Sequence, residues 1–380
     1  MFSFLRECAD LWRLFLGLRR EQRQIVFYSE HGGYLPYLEG WIRELLAQSP
    51  LTVCYLTSDP ADPCLSKARD RLRAFYFKHL LPFVILFLDA KVLVMTLPDL
   101  HQYYIRRSIR GARHVYVFHA MVSTHMIYRF GAFDHYDVVF CAGPHHLVEL
   151  RRCEQLYGTA PKQLLEVGYP PLDQILQVRE QTPPGASARR PGKRVLIAPS
   201  WGKDNILESC APELIRSLSE AGFTVAVRPH PEWIKRYPDK LDRLKRIGSN
   251  GSKVEWAFGP LTDQTLLEAD ALITDWSGIA LEYAFGTERP VLFVDVPRKV
   301  HNPRHEELGL VPIEVRLRDR IGKVVPVQRS AQAGGEVLEL LKDRSAYRER
   351  ILEERAQSVF NLGSSAKIGA QFLLDLCRRV

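Results

Sequence analysis

The sequence predicts an α/β protein in which two parallel-sheet domains face a central cleft. Short β-rich segments alternate with helical patterns along most of the 380 residues, and such alternation is typical of parallel sheets covered by helices on both faces. A polar segment rich in Pro and Gly, residues 179–193, divides the alternation into two halves of similar size and is predicted to be a linker. Ligands of such folds bind beyond the carboxyl ends of the strands, so the cleft is the expected site.

The composition is that of a soluble globular protein, with 46% hydrophobic and 25% charged residues. The net charge of +8 favours anionic partners such as phosphates, nucleotides or membrane headgroups, and no motif indicates nucleic-acid binding. The seven cysteines include no close pair, which argues against a disulfide framework or a zinc ribbon and favours a reducing, cytoplasmic location.

Residues 1–22 are predicted to form an amphipathic N-terminal helix. Its apolar face consists of Leu5, Ala9, Trp12, Phe15 and Leu16, and its polar face consists of Arg6, Asp10, Arg13, Gly17 and Arg20. The helix either docks on the protein's own surface or anchors the protein to a membrane, with arginines facing lipid phosphates. The most apolar later stretch, residues 83–97, is too short to span a bilayer. We therefore expect a cytoplasmic protein, either free or peripheral at the inner face of the plasma membrane.

Residues 23–178 are predicted to form an N-terminal Rossmann-like domain and residues 194–362 a C-terminal one. The expected strands of the first domain are 24–28, 51–56, 90–96, 114–118, 138–141 and 164–167, and those of the second are 194–198, 224–228, 254–256, 271–274 and 290–294. Residues 363–380 are predicted to form a C-terminal helix that packs back on the N-terminal domain.

The most informative segment runs from a buried strand into a helix that begins at Ile279. The residues at this junction are Thr274, Asp275, Trp276, Ser277 and Gly278. The free N–H groups of a helix N-terminus bind phosphate; Ser277 adds a hydroxyl donor, and Gly278 lets an anion approach the backbone. Glu282, one turn into the helix, is positioned to accept hydrogen bonds from a ribose diol. The alternative is that Asp275 or Ser277 only caps the helix.

A second candidate is the loop Arg228-Pro229-His230-Pro231, which directly follows a predicted strand. Its two prolines restrict the backbone, so an arginine and a histidine are presented at a strand's carboxyl end with little conformational freedom. Arg228 is suited to pair with phosphate oxygens, and His230 to donate to a phosphate or to protonate a leaving oxygen.

A third candidate is His119, the first polar side chain after the apolar strand 114–118. It would face the cleft from the N-terminal half as a general base, and the alternative is a histidine whose hydrogen bonds the neighbouring backbone satisfies. Ser123 and Thr124 follow as weaker candidates on the same side, and His125 is expected to lie on the next helix.

The loops after the first strand of each half are weaker indications of a ligand site. They contain Pro199 and Ser200 in the C-terminal half, and His31, Gly32 and Gly33 in the N-terminal half. Glycines in these loops would let a ligand approach the backbone. The full Gly-x-Gly-x-x-Gly pattern, the Walker motif, the His-Glu-x-x-His motif and the Gly-x-Ser-x-Gly motif are all absent, which removes the usual support for the commonest enzyme classes.

Taken in order, these motifs resemble the CDP-glycerol glycerophosphotransferases of teichoic acid and capsule synthesis, which have the GT-B fold of two Rossmann-like domains. The resemblance covers roughly residues 110–370 and is most specific between Asp263 and Pro303. The family's Trp-His-Gly-Thr motif corresponds here to Phe118-His119-Ala120-Met121, and its Thr-Asp-Tyr-Ser-Ser motif corresponds to Thr274-Asp275-Trp276-Ser277-Gly278.

The resemblance implies a transferase that moves glycerol phosphate, or another alditol phosphate, from a CDP-alditol to a hydroxyl of a glycan or lipid-linked acceptor, releasing CMP. It implies that His119 is the catalytic base and that Ser277, nearby N–H groups and His230 hold the donor diphosphate. It also places the acceptor on residues 23–178 and the donor nucleotide on residues 194–362.

Cofactor use and two alternative functions stay open at this stage. No set of metal ligands is indicated, and a divalent metal would be auxiliary because helix dipoles and cationic side chains also stabilise phosphate charge. One alternative is a GT-B glycosyltransferase that uses a nucleotide sugar. The other is a non-catalytic GT-B-like protein that binds an anionic glycan or a partner enzyme.

Overall fold

The computed structural model describes residues 2–66, 71–181, 192–248, 254–259 and 264–379. The strands are β1 (Ile25–Ser29), β2 (Val53–Thr57), β3 (Leu72–Tyr76), β4 (Val92–Met95), β5 (Arg113–Val117), β6 (Val138–Cys141), β7 (Gln163–Glu166), β8 (Arg194–Ile197), β9 (Thr224–Val227), β10 (Val254–Trp256), β11 (Ala271–Thr274), β12 (Val291–Asp295) and β13 (Gly322–Pro326).

The helices cover both faces of the sheets. They are α1 (Phe2–Phe15), α2 (Leu35–Gln48), α3 (Leu81–Phe87), α4 (Thr124–Ile127), α5 (Pro144–Tyr157), α6 (Pro170–Gln181), α7 (Ile206–Ser209), α8 (Ala211–Glu220), α9 (Pro231–Arg236), α10 (Pro238–Gly248), α11 (Gln264–Glu268), α12 (Ile279–Thr287), α13 (Ile313–Arg316), α14 (Arg318–Ile321), α15 (Ala333–Lys342), α16 (Arg344–Ser358) and α17 (Ser365–Arg379).

Two parallel sheets form the architecture. The first has seven strands in the order β3-β2-β1-β4-β5-β6-β7, and the second has six in the order β10-β9-β8-β11-β12-β13. The central strands are buried along their whole length because helices cover both faces, which is why they read as continuous apolar runs. Every predicted strand is present within two residues of its expected bounds. The predicted class of two Rossmann-like domains is therefore confirmed.

The N-terminal helix is shorter than predicted and docks by an unexpected face. It ends at Phe15, where the Leu16 N–H makes an ordinary α-helical bond to the Trp12 carbonyl at 2.9 Å and the Gly17 N–H bonds to the same carbonyl at 3.1 Å, as is typical of a helix C-terminus. One Glu7 oxygen accepts hydrogen bonds from the backbone N–H groups of residues 78, 79 and 80, and Asp10 accepts one from the N–H of Tyr76. The face with Asp10, predicted to be polar and outward, therefore lies against the protein.

The two sheets are joined by chain crossings between the domains. α6 occupies the beginning of the predicted linker 179–193, and residues 182–191 of that prediction lie outside the described residues. α17 packs against α2 of the first sheet, where the indole N–H of Trp41 donates to the Ser365 carbonyl at 3.4 Å. The carboxyl ends of both sheets consequently border one cleft.

Candidate active site

His119 follows β5 and lies in an aromatic setting at the edge of the cleft. The ring centroids of Tyr34, Tyr37 and Tyr128 lie 5.4, 6.1 and 6.0 Å from that of His119. Burial and, second, the charge of Lys299 lower the pKa of His119 to about 4. Its imidazole is therefore neutral at pH 7, the state in which a general base accepts a proton.

Thr274 and Asp275 tie the end of β11 to the neighbouring loop. The Thr274 hydroxyl donates to the Ala198 carbonyl at 2.6 Å. The buried Asp275 carboxylate accepts from the backbone N–H groups of Ser200 at 2.7 Å and Ile206 at 3.2 Å. These two side chains position the loop that contains the predicted residues Pro199 and Ser200, and their polar atoms face the protein rather than open solvent.

Trp276, Ser277 and Gly278 form the entry to α12. The Trp276 indole N–H donates to the Val296 carbonyl at 2.9 Å, and Trp276 lines a cavity together with Val122 and Ser277. The Ser277 hydroxyl makes no hydrogen bond to any part of the chain that the structure describes. At the start of α12 the N–H groups of Ala280 and Leu281 already donate to the Ser277 and Gly278 carbonyls at 3.2 and 3.1 Å, so the Ser277 hydroxyl and the Ile279 N–H are the donors that the junction offers to an anion.

Gly278 is also the point at which the N-terminal domain touches α12. A Cβ built on Gly278 would lie 3.1 Å from Ala120 Cβ and 3.1 Å from Val122 Cγ1. Both neighbours belong to the loop that begins at His119. The predicted base and the predicted anion site are therefore in adjoining, closely packed segments, although they lie 159 residues apart in the chain.

Glu282 lies beneath this junction. It is buried and accepts a hydrogen bond from the Tyr169 hydroxyl, and burial raises the pKa of the Glu282 carboxyl to about 7 against the lowering effects of Tyr169 and Arg228. Arg228 is buried at the end of β9 and donates to the Thr265 hydroxyl at 2.8 Å. The positive charge of Arg228 therefore acts on the Glu282 carboxyl and favours its charged form.

His230 has a defined orientation. Its Nδ1 accepts a hydrogen bond from the backbone N–H of Glu232 at 3.1 Å and so caps α9. Burial, followed by the charges of Lys299 and His119, lowers the pKa of His230 to about 3. Since Nδ1 accepts, the proton of the neutral ring is on Nε2, and this N–H is left to donate to a ligand.

The loop with His31, Gly32 and Gly33 lies on the His119 side of the cleft, since Tyr34 contacts both the His31 and the His119 rings. Its two glycine N–H groups are already engaged by the protein. Gly32 donates to Asp59 at 3.1 Å and Gly33 donates to His31 Nδ1 at 3.0 Å. Neither N–H is therefore left as a donor to a ligand, and the approach of a ligand to this glycine loop stays a prediction.

Ser123 and Thr124 are buried and do not present their hydroxyls to the cleft. The Ser123 hydroxyl donates to Glu314 at 2.7 Å, and the Thr124 hydroxyl donates to Glu149 at 2.6 Å. Their backbone N–H groups donate to the same carboxylates. Both residues hold the loop after His119 in place, which corrects their predicted position on an acceptor-binding surface.

Lys299 and Trp201 are cleft residues that the sequence prediction missed. The Lys299 ammonium lies 4.6 Å from the centroid of the Trp201 ring, and the His230 ring lies 6.3 Å from the same indole. Burial lowers the pKa of Lys299 to about 8, partly offset by Asp275. The rule that selected His119, the first polar side chain after an apolar strand, would have selected Asp295 or Arg298 in this segment, so it does not find Lys299.

Within the described residues, no three His, Cys, Asp or Glu side chains converge in a way that could hold a metal ion. The cleft instead combines a neutral imidazole on one domain with a helix N-terminus, an arginine, a lysine and an N–H donor on the other. Phosphoryl transfer is catalysed mainly by positioning and by stabilising charge, and this set of groups is suited to both.

The two facing Rossmann-like domains have the GT-B fold. Residues 21–299 match the family described as CDP-Glycerol:Poly(glycerophosphate) glycerophosphotransferase. The chain belongs to this family, and its enzymatic class is a CDP-glycerol glycerophosphotransferase-type transferase. The match begins well before residue 110, where the sequence resemblance was expected to start, and a search of curated proteins finds no match.

Solved structures share the fold at low sequence identity. The wall teichoic acid polymerase TagF soaked with CDPG aligns with a TM-score of 0.62 and 12% identity over 100% of this chain and 98% of that one. A S. aureus MnaA–UDP complex gives 0.59 and 13%, covering 94% and 96%. Methanocaldococcus jannaschii UDP-GlcNAc 2-epimerase with UDP-GlcNAc and UDP gives 0.56 and 13%, covering 92% and 99%.

Proposed function

We propose that this protein transfers an alditol phosphate, glycerol phosphate first among them, from a CDP-activated donor to a hydroxyl of a cell-surface glycan or lipid-linked acceptor and releases CMP. The observation that carries the proposal is the packing of the His119 loop on Gly278. It sets a neutral imidazole beside the helix N-terminus that the donor diphosphate would occupy. Family membership supports the same donor chemistry.

The proposed reaction is a single displacement at the β-phosphorus. The acceptor oxygen forms a bond to this phosphorus, its proton passes to His119, and the bond to the bridging oxygen breaks as CMP leaves. His230 Nε2–H donates to the leaving oxygen. Ser277, the Ile279 N–H at the start of α12 and Arg228 stabilise the negative charge on the phosphates.

Glu282 is proposed to bind the donor's ribose. One of its oxygens is occupied by the Tyr169 hydroxyl, and the other makes no hydrogen bond within the described residues. That oxygen is left to accept from a ribose hydroxyl.

A donor panel tests the proposal. CDP-glycerol, CDP-ribitol and UDP-sugars are incubated with the protein and candidate acceptors, and CMP and UDP release are scored. We expect CMP release from a CDP-alditol. UDP release from a nucleotide sugar alone would favour the glycosyltransferase alternative, and a melting temperature that no nucleotide raises would favour the non-catalytic one.

We further propose that α1 holds the protein at the inner face of the plasma membrane. Trp12 in α1 and Leu16 directly after it are 62% and 73% exposed, although both were predicted to lie on the apolar face of the N-terminal helix. Exposed arginines, among them Arg13 and Arg20, flank these residues and complement anionic headgroups. Among the described residues, no helix is long and apolar enough to cross a bilayer, so the proposed contact is interfacial.

Vesicle co-sedimentation with a matched pair of variants tests this contact. Leu16→Asp and Val311→Asp each place a carboxylate at an exposed apolar position, 73% and 65% exposed in the wild type. We expect Leu16→Asp to weaken binding to anionic vesicles and Val311→Asp to leave it unchanged. Equal binding by wild type and Leu16→Asp would end the proposal.

A further inference from the structure

The segment after β12 spans the mouth of the cleft and is fastened to the opposite domain. The His301 N–H donates to the Met126 carbonyl at 3.0 Å, and the Asn302 side-chain amide donates to the His125 carbonyl at 2.9 Å. These bonds connect the C-terminal domain to the loop and helix that follow His119. The residues just before them, including Lys299, are therefore held at a fixed place in the cleft.

Lys299 is a cation with no counter-ion of its own. Within the described residues, its half-buried ammonium makes no hydrogen bond and no ion pair; its one close partner is the Trp201 ring at 4.6 Å. Asp275, which favours the charged form of Lys299, directs both oxygens to the backbone N–H groups of Ser200 and Ile206. Removing a cation from water without pairing it is costly, so the position is suited to an anionic ligand.

The groups around Lys299 locate that ligand. Trp201 contacts both Lys299 and His230, and Trp201 directly follows Ser200, which Asp275 fixes beside the start of α12. The positive charge of Lys299 also acts on His119 across the cleft, since it lowers the pKa of that imidazole. Lys299 is thus located among the proposed base, the proposed proton donor and the helix N-terminus.

We infer that Lys299 binds the diphosphate of a nucleotide-activated donor, as a second cation on the side of the anion opposite Arg228. The inference rests on the proposed function and adds a residue to it. No bond to Lys299 forms or breaks: its ammonium donates hydrogen bonds to phosphate oxygens and offsets the charge that grows as the leaving nucleotide departs. Trp201 supports the aliphatic stem and keeps the ammonium directed into the cleft.

Calorimetry with CDP, inorganic pyrophosphate and cytidine tests the inference on the full chain. Lys299→Met keeps the length of the stem and removes the charge, and should weaken CDP and pyrophosphate binding about ten-fold or more while leaving cytidine unaffected. Lys299→Arg should recover affinity to within a few fold. Arg298→Met, the same loss of charge at the adjacent exposed position, is the control and should bind all three as the wild type does.

The outcomes separate this inference from the proposed function. If wild type binds CDP and Lys299→Met binds it equally tightly, the inference fails and the proposed function stands. Equal losses of affinity for cytidine and CDP would show that Lys299 only shapes the Trp201 surface, and this result would also overturn the inference. If wild type binds neither CDP nor pyrophosphate, both proposals fail. Should Lys299→Met melt below wild type, Lys299→Gln repeats the measurement with a polar terminus in place.

Discussion

A methyl group on Gly278 should disturb catalysis through the contact between the domains. The new Cβ would lie 3.1 Å from both Ala120 Cβ and Val122 Cγ1, closer than the roughly 3.5–4.0 Å at which carbon atoms attract each other. Overpacking of this kind costs about 1–3 kcal/mol. Because both neighbours lie in a loop that can shift, we expect a cost at the lower end of this range, about 1 kcal/mol. This cost corresponds to about a five-fold loss of kcat/KM.

Removing the methyl of Ala120 should relieve part of this cost. Gly278→Ala combined with Ala120→Gly keeps the Val122 contact and loses the other, so the double variant should be more active than Gly278→Ala alone. Residues in contact couple by about 0.5–3 kcal/mol. The family motifs place glycine where this chain has Ala120 and serine where it has Gly278, which is the same exchange of bulk across the contact.

The assay is the initial rate of CMP release, with urea unfolding measured on the same proteins. Gly335 in α15 is the matched control because no heavy atom lies within 4 Å of a Cβ built there; Gly335→Ala should leave the rate unchanged and stabilise the fold by up to about 1 kcal/mol. A Gly278→Ala enzyme with the wild-type rate would refute the reasoning. An equal loss of activity in Gly278→Ala and in the double variant with Ala120→Gly would also refute it, because the two positions would then be independent.

Three further predictions concern single side chains. His119→Ala should lower kcat about 10²- to 10⁴-fold with donor affinity within a few fold, as steady-state rates and calorimetry would show; unchanged turnover would end its assignment as the base. Arg228→Ala should weaken CDP-glycerol binding about ten-fold or more in the same calorimeter, and Ser277→Ala should do so more mildly because the Ile279 N–H remains; wild-type affinity in both would place the donor elsewhere. Burial lowers the pKa of His146 to about 3. Below about pH 6.5 the unfolded chain therefore binds a proton at this residue while the folded chain does not, and the free energy of unfolding should fall by about 1.4 kcal/mol for each unit by which the pH is lowered. Urea unfolding measured between pH 7 and 5 should show that the free energy of unfolding of His146→Gln depends less steeply on pH than that of the wild type. An equally steep dependence would contradict this account.

All the central strands of both sheets were predicted from the sequence, but only two of the four edge strands were. Central parallel strands are covered on both faces and therefore read as apolar runs. The two strands that were not predicted, β3 and β13, each lie at one edge of their sheet, whereas the opposite edge strands, β7 and β10, were predicted. They carry Arg73, Lys323 and Pro326, residues that suit a strand with an open edge and obscure the pattern.

The sequence predicted which strand ends carry the polar residues of the candidate site, but it did not predict what each of these residues contacts. His119, Arg228, His230 and Ser277 all follow apolar strands in the sequence, and the structure brings them to one cleft. Asp275 follows a strand by the same rule, yet its oxygens are committed to backbone N–H groups of the adjacent loop. A carboxylate that binds ligand and one that ties a loop look alike in sequence, because the difference lies in the partner that the fold supplies.

The sequence by itself determined the alternation of strands and helices, the two-domain division and the positions of the polar strand ends, since each depends on residues close together in the chain. Only the tertiary structure decided which groups meet across the cleft and which face of α1 is buried. Periodicity shows that a helix has two faces, but Glu7 makes the face with carboxylates the docked one by accepting three backbone N–H groups seventy-one to seventy-three residues away. Contacts of this range depend on how elements far apart in the chain pack together, which no local pattern encodes.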